Sequence, residues 1–108
     1  MKKVYKRIKK VIHKDVGSPE ILTLKAVEEL GELAASLFHE IGYKQTNKPK
    51  KDIRENQLEE TVDVILCMLG VLEKKGFTYD QIIKQLNKKI GKWENIAENR
   101  VLHKTIKT

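Results

Sequence analysis

One cysteine in a chain of 108 residues excludes an internal disulfide and a thiolate metal cluster. That cysteine, Cys67, sits in the apolar run Val64-Ile65-Leu66-Cys67-Met68-Leu69, which reads as a buried structural thiol rather than a nucleophile. Aromatic residues make up only 6%, so there are few rings on which nucleic-acid bases could stack. No apolar stretch approaches the ~20 residues needed to cross a bilayer. The opening, MKKVYKRIKKVIHK, is basic but has no apolar h-region, so no signal peptide is expected. There is no alternating strand pattern and no internal repeat. A cytoplasmic location, with no membrane partner, is the expectation these absences support.

What remains is a soluble, globular profile that leans helical: 40% hydrophobic, 34% charged, two prolines and six glycines. The length allows a single domain over 1–108 with a modest core, which an oligomer would complete. The balance of 22 Lys+Arg against 15 Asp+Glu gives a formal charge of +7, attractive to polyanions in general. The surplus is uneven. Lys2, Lys3, Lys6, Arg7, Lys9, Lys10 and Lys14 all precede the first acid, Asp15.

Four helices can be read along the chain. A basic N-terminal helix (within 1–17) runs from about Lys3 to His13, with Val4, Ile8, Val11 and Ile12 at helical spacing. Ser18-Pro19-Glu20 predicts a second start: an N-cap, a proline at the first helical position and an acid in the first turn. Gly42 supplies its stop. Tyr43 to Lys51 is polar, lysine-rich and contains Pro49, a loop longer than the usual connection and so suspected of a role. Asp52 is read as the cap of a third helix, stopped by Gly76. Thr78 and Gln81 predict a capping box for the fourth, which is expected to end near Glu98, leaving a basic tail over 99–108. The fold class is therefore all-α, a four-helix antiparallel bundle. The third helix is apolar nearly all round from Val62 to Leu72, so a second subunit is expected to cover part of it.

Helix two carries Glu28-Glu29-Leu30-Gly31-Glu32 and helix three carries Glu59-Glu60-Thr61-Val62-Asp63. In each, two carboxylates stand three residues apart, Glu29 with Glu32 and Glu60 with Asp63, on one face and about one turn from each other. Like charges so placed repel. One such pair is ordinary on a solvated, lysine-bridged face; two pairs on neighbouring helices, each beside an apolar stripe, point to a counter-ion. If the helices pack antiparallel, the pairs converge into an all-oxygen cage suited to magnesium or manganese. A di-iron bundle would want Glu-x-x-His, which is absent.

These strings resemble the EExxE…ExxD signature of the MazG-like all-α nucleoside triphosphate pyrophosphohydrolases, over roughly Leu22 to Ile96. The resemblance implies that Glu29, Glu32, Glu60 and Asp63 bind Mg²⁺, with Mn²⁺ as a substitute. The metal would hold a (d)NTP for cleavage to (d)NMP and pyrophosphate. It also implies supporting or water-activating roles for Glu28 and Glu59, and a MazG-like bundle; the apolar third helix predicts that this bundle is completed as a homodimer or dimer of dimers. The stretch Asn87-Lys88-Lys89-Ile90-Gly91-Lys92-Trp93 is similar to the family's phosphate-contacting segment near the end of the last helix. Lys88 or Lys89 with Lys92 share one helix face there, Asn87 adds a hydrogen-bonding group, and Trp93 is either a core anchor or a stacking residue. His13, His39 and His103 lack ligand-like spacing and are expected at the surface. A second reading, a non-catalytic basic helical module for nucleic acid or a protein partner, rests on the net charge and the basic first helix. It lacks a helix-turn-helix signature, so nucleic acid is not an expected partner.

Overall fold

The computed structural model describes residues 2–107, and of 102–107 the backbone only, so the side chain of His103 lies outside the described set. Four helices account for nearly all of it: α1 (Lys2–Lys14), α2 (Pro19–Glu40), α3 (Lys50–Lys74) and α4 (Tyr79–Lys107). Among the described residues there is no strand, and no helix is long and apolar enough to cross a membrane. The chain gathers into two compact units, one ending at Gly76 and the other beginning at Phe77.

In the first unit, α2 and α3 form an antiparallel hairpin. The Ser36 hydroxyl donates to the Ile53 carbonyl at 3.2 Å, and Gln57 Nε2 donates to Glu40 Oε2 at 2.7 Å. Local chemistry sets the helix ends. Ser18 Oγ accepts the Ile21 amide at 3.2 Å ahead of Pro19, satisfying a first-turn donor that would otherwise lack a partner. At the far end Gly42 adopts φ 78°, where a side chain would be strained. Its amide reaches the His39 carbonyl at 3.2 Å and the Tyr43 amide reaches Phe38 at 3.0 Å, the paired closure of a Schellman motif. The Phe38 and Tyr43 rings, 5.2 Å apart, supply its apolar contact.

Helix α3 begins earlier than the sequence suggests. Pro49 is its N-cap, and Asp52 lies within the first turn instead of capping it. Proline's fixed, extended conformation at the boundary leaves Lys50 free to begin the helix. Gly76 at φ 86° ends it.

Helix α1 packs on α3 through Tyr5 and Ile12, both buried, while Val4 and Val11 of the expected stripe stay exposed. The face turns because Tyr5 has a partner on α3. Close approach is possible at Gly70: a Cβ there would stand 2.6 Å from Ile12 Cδ1 and 3.0 Å from Leu22 Cδ1. The core is thin. Leu22, Ala26, Ile53 and Cys67 are buried, yet among the described residues no large side chain is fully enclosed. Val27, Leu30, Leu58, Val62, Ile65 and Leu66 remain exposed, so the first unit does not by itself supply the cover expected for the third helix.

The second unit is built on α4. Its capping box forms as read: Gln81 Oε1 accepts the Thr78 amide at 2.9 Å, and Thr78 Oγ1 accepts the Gln81 amide at 3.2 Å. The helix continues past Glu98 to Lys107, because neither glycine nor proline interrupts 99–107.

Candidate metal centre

The antiparallel hairpin sets the acidic pair of α2 against that of α3. Glu29, Glu60 and Asp63 each present one carboxylate oxygen, and these oxygens lie within 4.8 Å of one another. Glu29 and Glu60 are half-buried, Asp63 exposed. Glu32, exposed, lies against Glu60 and lines a small cleft with it. Three of the four predicted ligands therefore meet at one place, and the fourth, Glu32, joins them through its contact with Glu60. Glu28 and Glu59 are exposed and stand outside the cluster, which keeps them from a ligand role in this arrangement.

Among the described residues, no lysine, arginine or histidine lies within ion-pair distance of any of the four. With 22 basic residues available, this is not a lysine-bridged helix face. Glu60 shows the consequence. Its Oε2 is buried with no hydrogen-bond donor, and its nearest polar neighbours are other carboxylates. Ionised carboxylates only accept, so two can bond only by sharing a proton. Contact with Glu29, then desolvation, then Glu32 and the negative charge of both, push the Glu60 carboxyl up to about 8. An acceptor left in this condition is costly unless a proton or a cation supplies what is missing. The donor set is entirely oxygen, which fits a hard divalent cation and disfavours soft metals.

Cys67 lies one turn beyond Asp63 on α3. It is buried, and desolvation pushes its thiol up, with Lys25 opposing and the Glu29 and Asp63 charges adding to the rise. It is held as a neutral thiol and is neither nucleophile nor ligand here.

The loop end of the hairpin holds residues that sequence reasoning passed over. A cleft of about 260 Å³ is lined by Glu32, Ser36, His39, Lys48, Asn56 and Glu60. It adjoins a wider one of about 620 Å³ lined by His39, Thr46, Lys48, Lys50, Arg54 and Gln57 among others. His39, expected at the surface, is half-buried between them. His13 is partnered as well, its Nε2 3.1 Å from Glu73 Oε1. The clustering of Lys48, Lys50, Lys51 and Arg54 just ahead of Glu60 was the available signal. Asn87, Lys88, Lys89, Lys92 and Trp93 belong to the second unit, all exposed on α4, with Trp93 at 71%. No protein-family model, no curated protein and no solved structure matches this chain.

Proposed function

We propose that this chain is a Mg²⁺-dependent nucleotide pyrophosphohydrolase of the MazG-like type, cleaving a (d)NTP to (d)NMP and pyrophosphate. One observation carries the reading: Glu29, Glu60 and Asp63 converge from two helices, with Glu32 against Glu60, with no cationic partner among the described residues, and leave a buried oxygen of Glu60 unsatisfied. Glu29, Glu32, Glu60 and Asp63 would hold the cation. When bound there, Mg²⁺ or Mn²⁺ neutralises phosphate charge and makes a nearby water more acidic. In the reaction, water adds to the α-phosphorus and the bond from that phosphorus to the α,β-bridging oxygen breaks. Pyrophosphate leaves with the electron pair, and the water gives up a proton. Glu28 or Glu59, both exposed, would take that proton through solvent. On α4, Asn87, Lys88, Lys89 and Lys92 are proposed phosphate contacts and Trp93 a base contact.

Assembly belongs to the same proposal. Val62, Ile65, Leu66 and Met68 of α3, with Val27 and Leu30 of α2, are exposed apolar side chains, and large apolar patches on a protein surface mark interaction sites. A second copy with closed symmetry covers such a face on both partners at once, giving a homodimer or a dimer of dimers. The test of function is a panel of NTPs and dNTPs with Mg²⁺ or Mn²⁺, reading released pyrophosphate. Release from at least one nucleotide, abolished by chelation, is the expected result; no release from any of them with either metal refutes the reading.

A further inference from the structure

The acidic cluster sits at one end of a continuous groove whose chemistry changes sign along its length. The smaller cleft reaches Glu32 and Glu60, and the wider one opens beside it with His39, Lys48 and Ile53 shared between the two. Past those shared residues the lining gains Lys50 and Arg54. Among the described residues no acid pairs with Lys48, Lys50 or Arg54. The one carboxylate in the wider cleft, Glu40, is already engaged by Gln57 Nε2 at 2.7 Å. The loop that delivers Lys48 is fixed locally, since the Lys48 amide donates to Thr46 Oγ1 at 3.2 Å. Three unpaired cations thus line a groove of molecular size that runs directly into a site for a divalent metal.

We infer that the Lys48–Lys50–Arg54 cleft binds the outer phosphates of an oligophosphate, the end that leaves as pyrophosphate. This rests on the pyrophosphohydrolase reading and adds to it a subsite within the α2–α3 hairpin, separate from the lysines of α4. Arginine suits the task because its planar fork grips two phosphate oxygens at once, and lysine adds compact positive charge. The order along the groove matches the order along the substrate. The phosphorus under attack lies toward the carboxylates that hold the metal, and the departing phosphates lie toward the cations that neutralise charge developing on them. The wider volume beyond Glu32 and Glu60 also accounts for the length of the connection between α2 and α3, over 41–49.

The probe is inorganic pyrophosphate, titrated calorimetrically into the full chain with and without Mg²⁺, with orthophosphate and a nucleoside monophosphate as comparison arms. Lys48→Ala with Arg54→Ala removes two exposed cations, so the helices should be retained, which circular dichroism verifies. Each lost charge-assisted contact should weaken pyrophosphate binding about tenfold, and KM for the best nucleotide should rise. Binding of Mg²⁺ alone should be unchanged. Orthophosphate and the monophosphate should bind more weakly than pyrophosphate and respond less to the substitutions. Pyrophosphate affinity within about twofold of the parent in the double variant overturns the inference. So does a loss seen only with Lys88→Ala and Lys92→Ala. If nucleotides are cleaved while the double variant binds pyrophosphate normally, the subsite falls and the enzyme reading stands. If Lys48 and Arg54 govern pyrophosphate binding but no nucleotide is cleaved, the oligophosphate site stands and the enzyme reading falls.

Discussion

The Tyr5 hydroxyl of α1 donates to Glu73 Oε2 of α3 at 2.7 Å, 68 residues away in sequence. Glu73 is buried, and His13 Nε2 at 3.1 Å and Lys9 Nζ at 4.0 Å crowd its other oxygen. Burial raises the Glu73 carboxyl, but Tyr5, His13 and Lys9 outweigh it, and the group settles below the usual carboxylate range. Burial first, then the bond to Glu73 and its charge, push the Tyr5 phenol up to about 12. One carboxylate therefore ties the basic helix to the hairpin.

From this follows a pH dependence with two limbs. Glu73 is depressed in the fold, so its contribution is present above the unfolded value, about 4.3, and is lost as pH falls through the folded one. Tyr5 is raised, so its contribution is present below about 10 and is lost as pH climbs toward 12. Glu73→Gln should destabilise by about 1–3 kcal/mol at neutral pH and flatten the acid limb. Tyr5→Phe should cost about 1 kcal/mol and flatten the alkaline limb. Urea unfolding across pH measures both; a Glu73→Gln curve that overlays the parent removes the tie from the account.

Gly70 is the second determinant of that contact. Alanine gains about 1 kcal/mol of helix propensity. Its methyl, however, meets Ile12 Cδ1 and Leu22 Cδ1, and overpacking of this kind costs about 1–3 kcal/mol. We expect Gly70→Ala to lower the melting temperature, and Gly70→Ala with Ile12→Val to recover part of the loss. A higher melting temperature for the single variant would show that α1 yields freely.

At the acidic cluster, Mg²⁺ or Mn²⁺ should raise the melting temperature, because a ligand of the folded state stabilises it by mass action. Glu60→Gln should abolish the rise with metal. Glu32→Gln and Asp63→Asn should each lower pyrophosphate release by about a thousandfold or more while circular dichroism stays helical. Lys92→Ala should act mainly on KM. Full activity in both acid variants would refute the ligand assignment.

For assembly, light scattering should give two or four times the chain mass of 12.5 kDa. Ile65→Lys, placed on the exposed apolar face of α3, should shift the protein toward a single chain. A parent protein that runs as one chain at working concentration rejects the proposed interface.

The helix ends were legible in the sequence because their chemistry is local. Ser18 with Pro19, Thr78 with Gln81, and the glycines at 42 and 76 act within a turn of where they stand. The acid pairs were legible for the same reason: spacing along a helix fixes a face, and antiparallel pairing sets Glu29 and Glu32 opposite Asp63 and Glu60. Tyr5 was hidden because its partner is remote, and the apolar count that favoured Val4 and Val11 takes no account of a buried carboxylate. The groove was hidden too. Lys48 sits in a loop, Arg54 on a helix and His39 on another, and only the folded hairpin places them together. The end of α4 was misjudged by reading a basic composition as a tail, when nothing between 99 and 107 breaks a helix.

Cys67 offers a built-in clock for the hairpin's opening. Its thiol is buried one turn from Asp63 and pushed up by desolvation, so a disulfide reagent should react mainly in moments when the packing around α3 opens. The labelling rate then reports how often that packing opens, with no dye or engineered probe. A cation gripping both helices should slow it in proportion to its occupancy, which makes the natural thiol a direct reading of metal binding in protein that turns over no substrate at all.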